Sequence, residues 1–128
     1  MADSKKVLIV EDEAPMLKAL VDKFTNEGFA VFHAEDGEEG LNIALKEHPD
    51  IILLDMIMPK MDGMTVLENI RKNAGWGADV PVIVLTNIND TRVVSEAMGF
   101  HASDFLVKSD WKLADVVKKV REKLGIAK

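Results

Sequence analysis

Two stretches of this 128-residue chain place acids where an apolar run ought to continue. In "VLIVEDE", residues 7–13, four aliphatic residues lead into Glu11 and Asp12. In "IILLDMIMP", residues 51–59, four more lead into Asp55 before Met56, Ile57, Met58 and Pro59 follow. Burying a carboxylate without partners is costly, so Asp55 is expected at a strand end within reach of solvent or a cation. Two other runs end on complementary groups: Thr86 after "VIVL" and Lys108 after "DFLV". Carboxylates a few ångströms apart repel one another, and one ammonium does not neutralise three of them. Their convergence calls for a hard divalent cation. Mg²⁺ is the expected ion, because it keeps several waters and takes only one or two carboxylates plus a substrate phosphate. A phosphoryl group held by Mg²⁺, a lysine and a hydroxyl has its developing charge neutralised on several sides, which is most of what phosphoryl transfer requires.

Taken singly, each residue has an ordinary explanation. Acids ahead of a helix complement its dipole, a threonine often ends a strand, and a lysine is usually a solvated charge. The weight lies in their joint appearance at successive strand ends.

Strands and helical segments alternate along the chain. The strands are "KVLIV", "FAVFHA", "DIILLD", "VPVIVLT" and "DFLVK". Between and after them, helical spacing groups Leu17, Leu20, Val21 and Phe24; Leu41, Ala44 and Leu45; Val66, Leu67 and Ile70; Val93, Val94 and Ala97; and Leu113, Val116, Val117, Val120 and Leu124. Pro15 fits a first helical turn, Gly28 and Gly125 fit helix stops, and Asp36 with Glu39 and Thr65 with Glu68 have capping-box spacing. Such alternation implies an α/β fold, a doubly wound parallel sheet with helices on both faces and a ligand site at the carboxyl ends of its strands.

The bulk numbers agree with one domain over residues 1–128: the chain is 48% hydrophobic, enough for a single core without staples. There is no cysteine, hence no disulfide framework or zinc–thiolate site, and His33, His48 and His101 are scattered. No segment reads as a signal peptide or membrane span, so a soluble cytoplasmic chain is expected. The formal charge of −6 argues against non-specific nucleic-acid binding.

With these residues in place, the sequence resembles the receiver domains of two-component response regulators. "VLIVEDE", "IILLDMIMPKMDG", "VIVLT" and "ASDFLVK" each resemble a family block, in order and spacing, across nearly the whole chain. The resemblance implies a flavodoxin-like (βα)5 fold with strand order 2-1-3-4-5. It implies Asp55 as phosphoacceptor and a metal shell of Asp12, Asp55 and the Ile57 carbonyl, with Glu11 acting through water. Lys108 would bind a phosphoryl oxygen, Thr86 would be the switch hydroxyl and Phe105 the aromatic that follows it. Pro59 and Gly63 fit the turn beyond the acceptor, and Asp62 fits a turn or cap better than a ligand. In two places the chain departs from the family: Ser109 stands where proline usually follows the lysine, and Asn87 exceeds the small residue usual after the switch threonine.

Function by resemblance is phosphotransfer. A histidine kinase or phosphotransfer protein donates to Asp55 with Mg²⁺, and the acyl phosphate shifts a two-state equilibrium read by a separate downstream protein. The expected output face comprises the fourth and fifth amphipathic segments with the fifth strand, and Trp111 is a candidate contact there. A stand-alone, monomeric phosphoacceptor is expected rather than an enzyme acting on a second substrate. Rival readings fit less well. An FMN-binding flavodoxin needs a phosphate-cradling loop where "EDEAP" would repel phosphate, and a haloacid-dehalogenase-type phosphatase needs a second Asp where Ile57 stands. A receiver-like scaffold that never accepts phosphate is disfavoured by intact Asp12, Asp55, Thr86 and Lys108.

Overall fold

The computed structural model describes residues 4–58, 60–86, 91–107 and 112–126, apart from the side chains of Thr86, Thr91 and Val93. Five parallel strands form one sheet: β1 (Lys6–Val10), β2 (Ala30–Ala34), β3 (Ile51–Asp55), β4 (Val82–Thr86) and β5 (Asp104–Val107), in the order β2-β1-β3-β4-β5. Helices α1 (Ala14–Asn26), α2 (Gly37–Glu47), α3 (Gly63–Arg71), α4 (Trp76–Asp79), α5 (Thr91–Gly99) and α6 (Leu113–Leu124) complete the alternation. The fold class and strand order are those expected.

Alternation along each strand explains the two covered faces. Leu8, Val10, Ile52, Leu54, Val82 and Val84 share one core layer with Val66, Leu67 and Ile70 of α3 and Ala97 of α5. Their neighbours Val7, Ile9, Ile51, Leu53, Ile83 and Leu85 face the other way, onto Leu17, Leu20 and Phe24 of α1 and Val116, Val117 and Val120 of α6. Because both sets are buried, the central strands read as unbroken apolar runs. Burying one such Leu or Ile side chain contributes roughly 1.5–3 kcal/mol.

The punctuation holds with one shift. Asp36 caps α2, accepting the Glu39 N–H at 2.8 Å, and Gly28 and Gly125 take positive φ beyond α1 and α6. At α3 the cap is Asp62, whose Oδ1 accepts the Thr65 N–H at 2.9 Å, so Thr65 lies inside the first turn instead of starting it. Two other details depart from the sequence pattern. The short helix α4 interrupts what reads as a loop, which makes α5 and α6 the fourth and fifth amphipathic segments. Leu45, expected on the buried face of α2, is exposed, because α2 rests on the sheet through its small buried residues Gly37, Gly40 and Ala44.

Arg71 ties the region together. Its guanidinium donates to the carbonyls of Phe100, Gly77 and His101 at 2.9, 2.8 and 2.8 Å, joining the end of α3 to α4 and to the turn after α5. Burial lowers its pKa from the ordinary value, and the carboxylate of Asp79 opposes that shift. Among the described residues, no helix is long and apolar enough to cross a membrane.

Candidate functional site

Parallel strands deliver their carboxyl ends to one edge, and three acids meet there. Glu11 directly follows β1. Its N–H donates to the Ala34 carbonyl at 3.0 Å, extending the ladder by one residue, and its side chain is fully buried with Oε2 accepting the Glu13 N–H at 3.1 Å. Asp12, the next residue, is exposed. Asp55 ends β3 opposite Leu85 and is 3% exposed. Glu11, Asp12 and Asp55 each offer a carboxylate oxygen, and these oxygens all lie within 4.8 Å of one another. Two buried carboxylates and one open to solvent suit a hard, partly hydrated cation, since the set is all oxygen and anionic.

The chain beyond Asp55 is held close. Oδ1 of Asp55 accepts the Ile57 N–H at 3.4 Å, and the Met56 N–H donates to the Leu85 carbonyl at 3.3 Å. Gly63 N–H returns to the Met56 carbonyl at 2.9 Å. A Cβ on Gly63 would fall on the carbonyl oxygen of Asp55 and lie 2.7 Å from the Met56 Cα, so this close approach requires glycine there. The Ile57 side chain is 67% exposed and does not enter the core. An open cleft of about 290 Å³ runs beside it, lined by Met56, Ile57, Met58, Asp62, Met64 and Glu96. A larger groove of about 530 Å³ lies between α1 and α6, lined by Lys23, Glu27, Val117 and Arg121 among others, with none of the three acids.

The remaining expected residues are placed in part. Thr86 ends β4 opposite Val107, and its side chain lies outside the described residues. Phe105 pairs with Val84 and packs, half-buried, against the core layer that contains Met56, Val84 and Ala97. Pro59, Asn87, Ile88, Lys108, Ser109 and Trp111 also lie outside the described residues. Sequence reasoning assigned no role to Gly37 and took Gly63 only as a turn residue. The available signal was an Asp-Gly pair opening each of α2 and α3, where neither glycine adopts a positive φ and the missing Cβ therefore serves space alone.

The family model of the response regulator receiver domain matches residues 7–121. The chain belongs to that family. This receiver domain, a module of two-component signalling, is 42% identical over 104 residues to a probable transcriptional regulator ycf27 of Guillardia theta, covering 81% of this chain and 39% of the relative. The Porphyridium aerugineum counterpart is 38% identical over 104 residues, with 81% and 42% covered. The receiver thus spans about two fifths of the length of these curated relatives. Among solved structures, it superposes with a TM-score of 0.83 and 34% identity on a chain of the CheX-CheY-BeF3-Mg+2 complex from Borrelia burgdorferi, covering 93% of this chain and 88% of that one. A CheY-like receiver domain protein from Methanospirillum hungatei gives a TM-score of 0.89 at 25% identity, with 96% and 95% covered.

Proposed function

We propose that Asp55 is the phosphoacceptor of this receiver and that Asp12, Asp55 and the Ile57 carbonyl, with Glu11 through a water, hold Mg²⁺ beside it. The observation that carries this reading is the approach of the Glu11, Asp12 and Asp55 carboxylates to within 4.8 Å at the carboxyl edge of the sheet. When bound, Mg²⁺ supplies charge neutralisation to the acids and to the incoming phosphoryl oxygens. An Asp55 carboxylate oxygen forms the new O–P bond as the N–P bond of a donor phosphohistidine breaks and its electron pair returns to the imidazole. Lys108 binds a phosphoryl oxygen and Thr86 donates to another, roles that rest on the family motif.

The donor is a histidine kinase or phosphotransfer protein, and α5, β5 and α6 form the face read by a downstream effector. Labelling with acetyl phosphate followed by mass spectrometry tests the assignment. Phosphate is expected on wild type in Mg²⁺, and neither in EDTA nor on Asp55→Asn. Equal incorporation in wild type and Asp55→Asn overturns it.

A further inference from the structure

The loop from Asp55 to Gly63 is braced at two points, and only one belongs to the acceptor strand. At its far end Gly63 sits against the Asp55 carbonyl with no room for a Cβ. At its outer turn the loop leans on the start of α2. A Cβ built on Gly37 would coincide with the carbonyl oxygen of Met61 and lie 2.7 and 2.9 Å from its carbonyl carbon and Cβ. Lys60, in the left-handed region at φ 69, places its ammonium 3.7 Å from Asp36 Oδ2, so the residue before Gly37 also touches this turn.

We propose that Gly37 is a positioning residue for metal binding, acting through the Met61 backbone on the acceptor loop. The inference rests on the Mg²⁺ reading above. What a methyl group at Gly37 meets is backbone, which does not swing aside as the tip of a side chain does. Met61 lies two residues before Gly63, whose N–H donates to the Met56 carbonyl at 2.9 Å, so displacing Met61 carries through that bond toward Met56 and Ile57, where the carbonyl ligand stands. Gly77, in α4, is a built-in comparison: its Cβ would fall on the Ile70 carbonyl oxygen, again backbone, but at the end of α3 away from the acids.

The test compares wild type, Gly37→Ala and Gly77→Ala by calorimetric Mg²⁺ titration, thermal unfolding in EDTA and amide NMR spectra of the metal-free proteins. Gly37→Ala is expected to bind Mg²⁺ about 10-fold more weakly or worse, in the range seen when a supporting residue behind a metal ligand is lost. Its Met56 and Ile57 amides should be displaced before any metal is added, and saturating Mg²⁺ should restore its labelling by acetyl phosphate. Gly77→Ala should lose thermal stability and keep its Mg²⁺ affinity. A folded Gly37→Ala with wild-type affinity overturns the proposal. Should that variant not fold, the wild-type spectrum decides: the Gly37 and Lys60 amides must shift along the Mg²⁺ binding curve, and unmoved amides overturn it. A wild type that binds no Mg²⁺ instead removes the metal reading itself, and this proposal with it.

Discussion

Lys119 donates from its ammonium to Asp104 Oδ2 at 2.9 Å, bridging α6 to β5. Lys123 stands 3.5 Å from the same oxygen, and Asp104 Oδ1 accepts the Phe105 N–H at 2.8 Å. Burial pushes this carboxyl up, but the Lys119 hydrogen bond, the Phe105 N–H and the two ammonium charges together bring it below the ordinary value of 3.8. A carboxylate depressed in the folded state adds stability above its unfolded pKa and loses it as pH falls through the folded one. Asp104→Asn is therefore expected to lower the urea midpoint at neutral pH, by under about 1 kcal/mol for a partly exposed pair. The two proteins should converge once the pH drops well below 3.8. Denaturation curves at neutral and strongly acidic pH check this, and a gap independent of pH would mean that packing, not charge, was lost.

The carboxylates of Glu11, Asp12 and Asp55 lie within 4.8 Å of one another, and like charges that close repel. Asp12→Asn removes one of the charges while leaving the fold around buried Glu11 and Asp55 intact. In EDTA its Tm should rise by about 2–8 °C, the shift that roughly 1 kcal/mol produces in a domain near this size. The rise that Mg²⁺ gives wild type should vanish, since a cation stabilises only what it binds. Calorimetry with and without Mg²⁺ reads both effects, and a variant that still gains Tm from Mg²⁺ would remove Asp12 from the ligand set.

Phe105 lacks a phenolic oxygen, so only packing chooses its rotamer, and it is half-buried against the core layer shared by β4 and α5. If the Thr86 hydroxyl follows the phosphoryl group, Thr86→Ala should still be phosphorylated but should show smaller shifts in α5 amides on activation. Undiminished shifts by NMR would break the proposed coupling.

The acyl phosphate should be long-lived for the family. Ile57 is exposed and offers no hydrogen bond to an attacking water, and by resemblance to the family Ile57 and Ile88, two residues past the acceptor and two past Thr86, would flank that water's approach, with Asn87 narrowing it. Restoring polar groups with the double variant Ile57→Asn, Ile88→Glu should speed loss of radiolabel by about 10- to 100-fold, at or below the ~10²-fold or more that a well-positioned acid–base group contributes. Decay no faster than wild type would place control of the lifetime elsewhere.

How much of this was legible in the sequence depends on scale. The strands were readable because a doubly covered parallel sheet leaves no polar position inside "VLIV", "IILL" or "VIVL". The acids were readable because each interrupts or ends such a run. Hidden were features set by tertiary contact: which of Glu11 and Asp12 turns inward, the three carbonyls gathered by Arg71, and the left-handed backbone at His48, Lys60 and His101, none of them glycine. Thr65 misled because Asp62, three residues earlier, supplies the cap and leaves Thr65 donating its N–H.

Trp76 lies at the opposite pole of the sheet from the acids. Its indole N–H donates to the Pro49 carbonyl at 2.8 Å, and its ring stacks on His48 with centroids 4.6 Å apart and planes 6° from parallel. Pro49 precedes β3 and Asp55 ends it, a separation of roughly 20 Å at the rise of a strand. The two tryptophans of this chain are consequently separable optical channels. With Trp111→Phe, the remaining emission should ignore Mg²⁺ and phosphate at the far edge and respond only when the stack on His48 comes apart. That variant is then a clean fluorescent gauge of global unfolding, in which a ligand at the acids is seen solely through the denaturant needed to melt the protein.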